Sequence, residues 1–256
     1  MKIHSTNDLG ANRLKILIYG EAGSGKTSLV KTLKEKTLVI SAEAGLLSIK
    51  GSGIDYIDVS LDDNGQPVPK EHRLNRFQDV YKYVLQKEVQ EKYKWLFIDS
   101  LTEIGQNLLE GLQKIYPEKK DGMNLWGDYD KQAKAFVKSF RDLPYYNVCF
   151  TALEKEEKDN DNRRHMKVDM DGKVGKRLPA FFDEVFWLHV DSDTGERHLW
   201  TSRRDDRVAK DRSGMLDTEE PADLQLIVNK IRGTKAPHVE LGVEVKPEKQ
   251  PEKKGK

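Results

Sequence analysis

The chain has 256 residues, of which 34% are charged and 37% are hydrophobic. This balance provides enough apolar side chains for one buried core and excludes a wholly disordered chain. The formal net charge is only +1, so any nucleic acid would have to bind through local basic patches rather than through the charge of the whole molecule. The single cysteine, Cys149, excludes a disulfide within the chain. No signal pattern or membrane-length apolar run is present, which predicts a cytoplasmic protein without a membrane partner.

The first half of the chain alternates short apolar runs with helical patterns. The apolar runs predict strands at residues 14–19, 37–41, 54–59 and 95–100. Apolar side chains at spacings of three and four predict helices at residues 27–36 and 76–90. Strands that alternate with helices are typical of a mostly parallel sheet.

The second half predicts further helices and then a region dominated by strands. Helices are predicted at 101–116, 126–143 and 221–232, and strands at 147–153, 184–190 and 197–202, the last two antiparallel. Residues 154–177 are polar and predict a mobile loop or hairpin, with short strands at 164–169 and 173–177. The tail at 234–256 is predicted to be disordered. The predicted fold class is therefore α/β, with a mostly parallel central sheet flanked by helices, C-terminal antiparallel strands, and one core within residues 1–233.

The clearest motif is the glycine-rich loop GEAGSGKT between the first predicted strand and the first predicted helix. Its glycines let the backbone wrap phosphate groups, to which successive N–H groups and the helix N-terminus donate hydrogen bonds. Lys26 is expected to reach the β and γ phosphates of ATP, and Thr27 to offer its hydroxyl to Mg²⁺. A plain glycine turn is the alternative. The predicted nucleotide-binding residues are Gly20, Glu21, Ala22, Gly23, Ser24, Gly25, Lys26, Thr27 and Ser28.

Two acidic residues follow predicted strands. Asp99 stands at the end of an apolar strand, where P-loop proteins place the acid that holds Mg²⁺. Capping of the following helix is the alternative for Asp99, although Ser100 is the better candidate for that cap. Glu43 follows the strand at 37–41, where its carboxylate would lie near the γ-phosphate and orient the attacking water. A solvated loop acid is the alternative for Glu43.

These three sites together resemble the core of the RecA-like ATPases. The resemblance rests on the P-loop, on the acid in SAEA at 41–44 and on the strand FIDS at 97–100. Among these ATPases, the chain resembles the phage-encoded, core-only RecA-like proteins of the single-strand annealing and recombination group, as does the segment GKRLPAFFDEV at 175–185. The resemblance implies a RecA-type sheet, ATP-dependent assembly into rings or filaments, and binding of single-stranded DNA by loops. It also implies a phage single-strand-binding protein as an accessory partner and the host cytoplasm as the compartment.

The same resemblance implies roles for three later residues. Thr151, at the end of a predicted strand, would stand where the relatives place a polar residue that senses the γ-phosphate. A hydroxyl that satisfies a strand end is the alternative. Lys176 and Arg177 would reach across a subunit boundary to the phosphates of a neighbour. A solvated hairpin is the alternative for this pair.

The sequence leaves the partner open. The segment at 155–176 carries lysines, arginines and a histidine among many acids, and it has no Phe, Tyr or Trp on which a base could stack. DNA binding therefore depends on the resemblance. Two other hypotheses are an assembly or packaging ATPase that acts on a protein partner, and a small-molecule kinase with a lid at 155–176. Glu43 suits the activation of water better than it suits a kinase.

Overall fold

The computed structural model describes residues 13–43, 45–116, 122–158, 162, 164–204 and 206–233. The tail predicted to be disordered, at 234–256, lies outside the described residues. Among the described residues, every helix is too short or too polar to span a bilayer.

Ten strands form the central sheet of the described residues. They are β1 (Lys15–Gly20), β2 (Thr37–Ser41), β3 (Asp55–Asp58), β4 (Trp95–Asp99), β5 (Asn147–Lys158), β6 (Arg164–Val168), β7 (Glu184–Val190), β8 (Arg197–Trp200), β9 (Lys210–Asp211) and β10 (Glu219–Pro221). The strand order is β10-β8-β7-β1-β5-β4-β2-β3, and β6 and β9 pair with β5 and β7. The strands from β7 to β3 in this order pair in parallel, whereas β6, β8, β9 and β10 pair in antiparallel fashion. This is the mixed α/β arrangement that the sequence predicted.

Helices cover both faces of the sheet. They are α1 (Arg73–Val84), α2 (Lys87–Lys92), α3 (Leu101–Ile115), α4 (Gly122–Arg141), α5 (Gly172–Arg177) and α6 (Leu224–Ile231). Alternate residues of a strand point to opposite faces, so Leu17 and Tyr19 of β1 join the cluster under α1, α3 and α4, whereas Ile16 and Ile18 join the cluster under α6. Burial on both faces explains why β1 is apolar without alternation.

Two predicted helices differ from the observed ones. The helix predicted at 27–36 is a short 3₁₀ helix, Thr27–Thr32. Thr32 Oγ1 donates to Leu29 O at 2.7 Å and accepts from Leu224 N at 2.9 Å, and such local side-chain bonds compete with continued helix formation. The single helix predicted at 76–90 is divided into α1 and α2, because Gln86 adopts an extended backbone.

Two later predictions were wrong in their details. The strand predicted at 173–177 is the helix α5, which is anchored where Val174 N donates to Asp130 Oδ1 of α4 at 2.9 Å. Pro221 ends β10 instead of opening the last helix, which is capped by Asp223 through a 3.0 Å bond from Leu226 N. A hairpin does form in the region predicted as a mobile loop or hairpin, but it pairs β6 with β5, which continues beyond the predicted end at residue 153 to Lys158, and not with the strand predicted at 173–177.

Candidate nucleotide-binding site

The glycine-rich loop borders a cavity of about 600 Å³ at the carboxyl ends of the parallel strands. This volume lies within the range of small-molecule sites, and open α/β sheets bind ligands at this edge. The cavity is lined by residues of the loop and the 3₁₀ helix that follows it, of the segment after β2, of the end of β4, of β5 and of β8: Ala22, Gly23, Gly25, Lys26, Thr27, Ser28, Lys31, Glu43, Gly45, Ser48, Asp99, Ser100, Leu153 and Arg197.

Three glycines of the loop occupy positions that reject a side chain. Gly23 and Gly25 have φ angles of +77° and +100°, which L-residues with side chains rarely adopt. A Cβ atom on Gly20 would lie 2.4 Å from the main-chain oxygen of Leu188 in the neighbouring strand β7. The loop conformation therefore depends on glycine both for its turns and for its close approach to the sheet.

Lys26 is folded back over the loop. Its Nζ donates to Gly20 O at 2.9 Å and to Glu21 O at 2.6 Å, and the residue is only 7% exposed. Burial lowers the pKa of Lys26, while the carboxylates of Asp99 and Glu43 act in the opposite direction. The ammonium group is thus held at the place where the loop would enclose phosphates.

Asp99 connects the end of the P-loop to strand β5. Thr27 Oγ1 donates to Asp99 Oδ2 at 2.6 Å, and Thr151 Oγ1 donates to Asp99 Oδ1. Because β5 lies between β1 and β4, Thr151 stands directly beside both the loop strand and the acid. Both Asp99 and Thr151 are buried, at 5% and 0% exposure.

The oxygen atoms of Thr27 and Asp99 fit a magnesium ion. Mg²⁺ prefers oxygen ligands and is usually held by one or two protein groups together with substrate phosphates and water. The described part of the chain contains no cluster of three or more His, Cys, Asp or Glu residues that would form an all-protein metal cage. The donor set therefore matches a metal that is shared with a nucleotide.

Glu43 lies on the same cavity, beside the end of β4. Its carboxylate accepts a hydrogen bond from Ser100 Oγ. Burial raises the pKa of Glu43, the neighbouring carboxylates of Asp99 and Glu103 raise it further, and the Ser100 bond opposes the shift. Ser100 also caps α3, because its Oγ accepts from Glu103 N at 3.5 Å, which confirms the predicted capping residue.

Lys176 and Arg177 do not line this cavity. Both are exposed on α5, and Lys176 Nζ pairs with Glu157 of the β5–β6 hairpin at 3.1 Å. Within one chain the structure therefore separates them from the P-loop.

The cavity also contains Arg197, which the sequence did not indicate. Arg197 begins β8, and its Nε donates to Ser24 O of the loop at 2.9 Å. No local motif marks this residue. Its position follows from the sheet order, which brings the β7–β8 hairpin beside β1.

The AAA domain family matches residues 12–213 of the chain. The chain belongs to this AAA domain family. The match includes the P-loop and all the predicted catalytic residues, and it establishes an ATPase-type P-loop domain.

The solved structures contain a similar fold. This AAA domain resembles a prototypical ATPase from the type III secretion system of pathogenic bacteria, with a TM-score of 0.50 and 14% sequence identity. The similarity covers 78% of this chain and 57% of that chain, and at such low identity it supports the fold alone. A comparison with curated proteins found no significant match.

Proposed function

We propose that this AAA domain hydrolyses ATP with Mg²⁺. The observation that carries the proposal is the convergence of Thr27 and Thr151 on the carboxylate of Asp99, in the cavity that also holds Lys26 and Glu43. A hydroxyl and a carboxylate for the metal, a cation for the phosphates and an acid for water are the groups that phosphoryl transfer requires.

Each of these side chains has a distinct task. Lys26 exchanges its bonds to main-chain carbonyls for stronger, charge-assisted bonds to phosphate oxygens. When bound, magnesium neutralises charge on the phosphates. Glu43 accepts a proton from the attacking water, and its raised pKa increases its basicity for that step. Ser100 orients the Glu43 carboxylate, and Thr151 orients that of Asp99.

Substitution of Lys26 tests this assignment. In Lys26→Ala, the loop keeps its glycines but loses the buried cation, so phosphate release from ATP should collapse. Lys34→Ala is the matched control, because Lys34 is an exposed lysine shortly after the same 3₁₀ helix and does not line the cavity. Wild-type turnover in Lys26→Ala would refute this loop as the active site.

We further propose that the chain assembles with ATP into a ring or filament and binds single-stranded DNA during phage recombination, annealing or repair, with a phage single-strand-binding protein as an accessory partner. The resemblance to the phage RecA-like group supports this proposal. The β5–β6 hairpin offers the cations: Lys158 and Arg164 are exposed, and Arg164 pairs with Glu156 at 3.5 Å on the surface. Exposed pairs of this kind are weak, so a phosphate can displace the acid.

Most other cations of the hairpin have acidic partners. Lys155 pairs with Asp169 and Asp171, and Lys167 pairs with Glu157. A single copy therefore offers few uncompensated charges to DNA. For this reason we expect binding to depend on assembly, in which several copies share one strand.

Charge reversal at Arg163 and Arg164 tests the DNA proposal; Arg163 lies outside the described residues. Each neutralised phosphate contributes about 0.7 to the salt slope on single strands, so the reversal should weaken binding and flatten the slope. Hydrolysis without DNA should remain nearly intact. Unchanged DNA affinity, or no stimulation of hydrolysis by DNA, would instead favour a protein partner, and transfer of phosphate to a small acceptor would identify a kinase.

The roles of Lys176 and Arg177 in a neighbour's site form a separate part of the proposal. Their exposure on α5 leaves them accessible to a second copy. Charge reversal at either should lower hydrolysis. Mixing an Arg177 variant with a Lys26 variant should restore part of it, because some mixed boundaries combine an intact loop with an intact Arg177. No recovery in the mixture would contradict a shared site.

A further inference from the structure

Arg197 lies far from the P-loop in sequence but contacts it in the folded chain. Its Nε donates to Ser24 O at 2.9 Å. A Cβ atom on Gly25 would lie 2.9 Å from Nε and 3.3 Å from Cδ of Arg197. The side chain therefore lies directly against the part of the loop where Gly25 turns with its positive φ angle.

The guanidinium group of Arg197 has hydrogen-bond donors that its bond to Ser24 does not use. A guanidinium carries five N–H donors, and the bond to Ser24 O uses only Nε. Among the described residues, no carboxylate forms an ion pair with Arg197, and the adjacent Glu196 approaches His198 instead, at 3.7 Å. Arg197 thus brings a positive charge without a carboxylate partner among the described residues to the wall of the cavity.

We propose that Arg197 is a second cation of the phosphate site, supplied by the same chain, which binds the α and β phosphates of the nucleotide. The loop N–H groups cradle the α and β phosphates, whereas the loop lysine reaches the β and γ phosphates. Arg197 stands over Ser24 and Gly25, on the cradle itself, and a planar guanidinium suits bidentate binding of phosphate oxygens. This inference rests on the proposed nucleotide binding at the loop.

The α and β phosphates are present in both ATP and ADP. Arg197→Ala should therefore weaken the binding of both nucleotides to a similar extent, by about tenfold or more, as is typical for the loss of a hydrogen bond to a charged group. A residue that senses the γ-phosphate would instead affect ATP alone and lower the turnover.

The test is a titration of ADP at several salt concentrations. Loss of a cation that contacts phosphate reduces the salt dependence of ADP affinity, whereas loss of a side chain that only braces the loop does not. Arg197→Lys keeps the charge and should retain the wild-type salt dependence, and Arg197→Gln keeps a donor for Ser24 O without the charge and should behave like Arg197→Ala. Arg212→Ala is the matched control, because Arg212 is an exposed arginine that pairs with Asp183 at 2.9 Å away from the cavity.

The outcomes separate this inference from the function on which it rests. Weaker ADP binding with a reduced salt dependence in Arg197→Ala supports it. Unchanged ADP affinity overturns it, and so does weaker binding with an unchanged salt dependence, which would leave a bracing role only. If Lys26→Ala also binds ADP like the wild type, the proposed nucleotide site itself is wrong; if only Lys26→Ala loses binding, the site stands and Arg197 has no part in it.

Discussion

The buried acid Glu184 gives a stability prediction that can be worked out from the structure. Glu184 begins β7, is 1% exposed, and lies opposite Asp211 of β9 in the sheet register. Burial and then the neighbouring Asp211 raise the pKa of Glu184 from 4.5 to about 8. In the folded protein, Glu184 therefore keeps its proton at neutral pH, whereas in the unfolded chain it loses that proton.

The sign of the pH effect follows from proton binding. Between the unfolded and folded pKa values the folded state binds the additional proton, so this contribution to stability is complete below about pH 4.5 and is lost as the pH rises toward about 8. Each rise of one pH unit in this window lowers the free energy of unfolding of the wild type by about 1.4 kcal/mol. Glu184→Gln removes the titrating group but keeps the shape and can still donate to Asp211. The free energy of unfolding of the variant, relative to the wild type, should therefore rise by about 3 kcal/mol between roughly pH 5 and pH 7.

The assay is urea unfolding of both proteins across this pH range. Other groups titrate in both proteins, so the difference between the two curves isolates Glu184. Curves that stay parallel from pH 5 to pH 7 would refute the buried, protonated acid.

Three further predictions concern the loop and its carboxylates. Glu43→Gln should still bind ATP but hydrolyse it at least about tenfold more slowly. In the wild type, protonation of Glu43 should reduce activity at a pH above the ordinary glutamate range, because the pKa of Glu43 is raised, and this loss should be absent from the pH–rate profile of the variant. Equal loss of binding and turnover would contradict this role. Thr151→Val should weaken the apparent Mg²⁺ affinity by about tenfold or more, measured as the Mg²⁺ dependence of hydrolysis, because it removes the bond that orients Asp99. Gly20→Ala should lower the free energy of unfolding by about 1–3 kcal/mol in a urea titration, because its Cβ would meet the main-chain oxygen of Leu188.

The fold class followed from the sequence because a parallel sheet requires apolar strands separated by helices. The errors occurred where contacts between distant segments decide the local structure. Thr32 accepts a bond from Leu224, and the chain leaves the 3₁₀ helix after this residue. The segment at 173–177 follows the turn Asp171-Gly172, which favoured a strand, yet its backbone is bound by Asp130 of α4. Neither partner is near in sequence, so periodicity could not reveal either.

The same distinction between local sequence signals and contacts of distant segments applies to the residues of the site. The P-loop residues are consecutive, and their spacing alone indicated a phosphate cradle. Asp99 and Glu43 could be predicted as candidates because they stand at or just after strand ends, and the carboxyl ends of the strands meet at one edge of a parallel sheet. Arg197 was missed because its approach to Ser24 spans 173 residues of sequence and depends on the order of the antiparallel strands.

The length of β5 has a mechanical consequence. This one strand of 12 residues begins in the buried sheet, passes Thr151 and ends at Lys158 in the hairpin. At about 3.3 Å per residue, the section from Thr151 to Lys158 spans roughly 23 Å. This section pairs with β1 as far as Leu153 and with β6 from Glu154 onward. Because strand pairing resists bending, a force on the hairpin acts along the strand on the hydroxyl that holds Asp99. A stiff segment of β5 thus connects the exposed hairpin, through Thr151, to the candidate metal ligand Asp99.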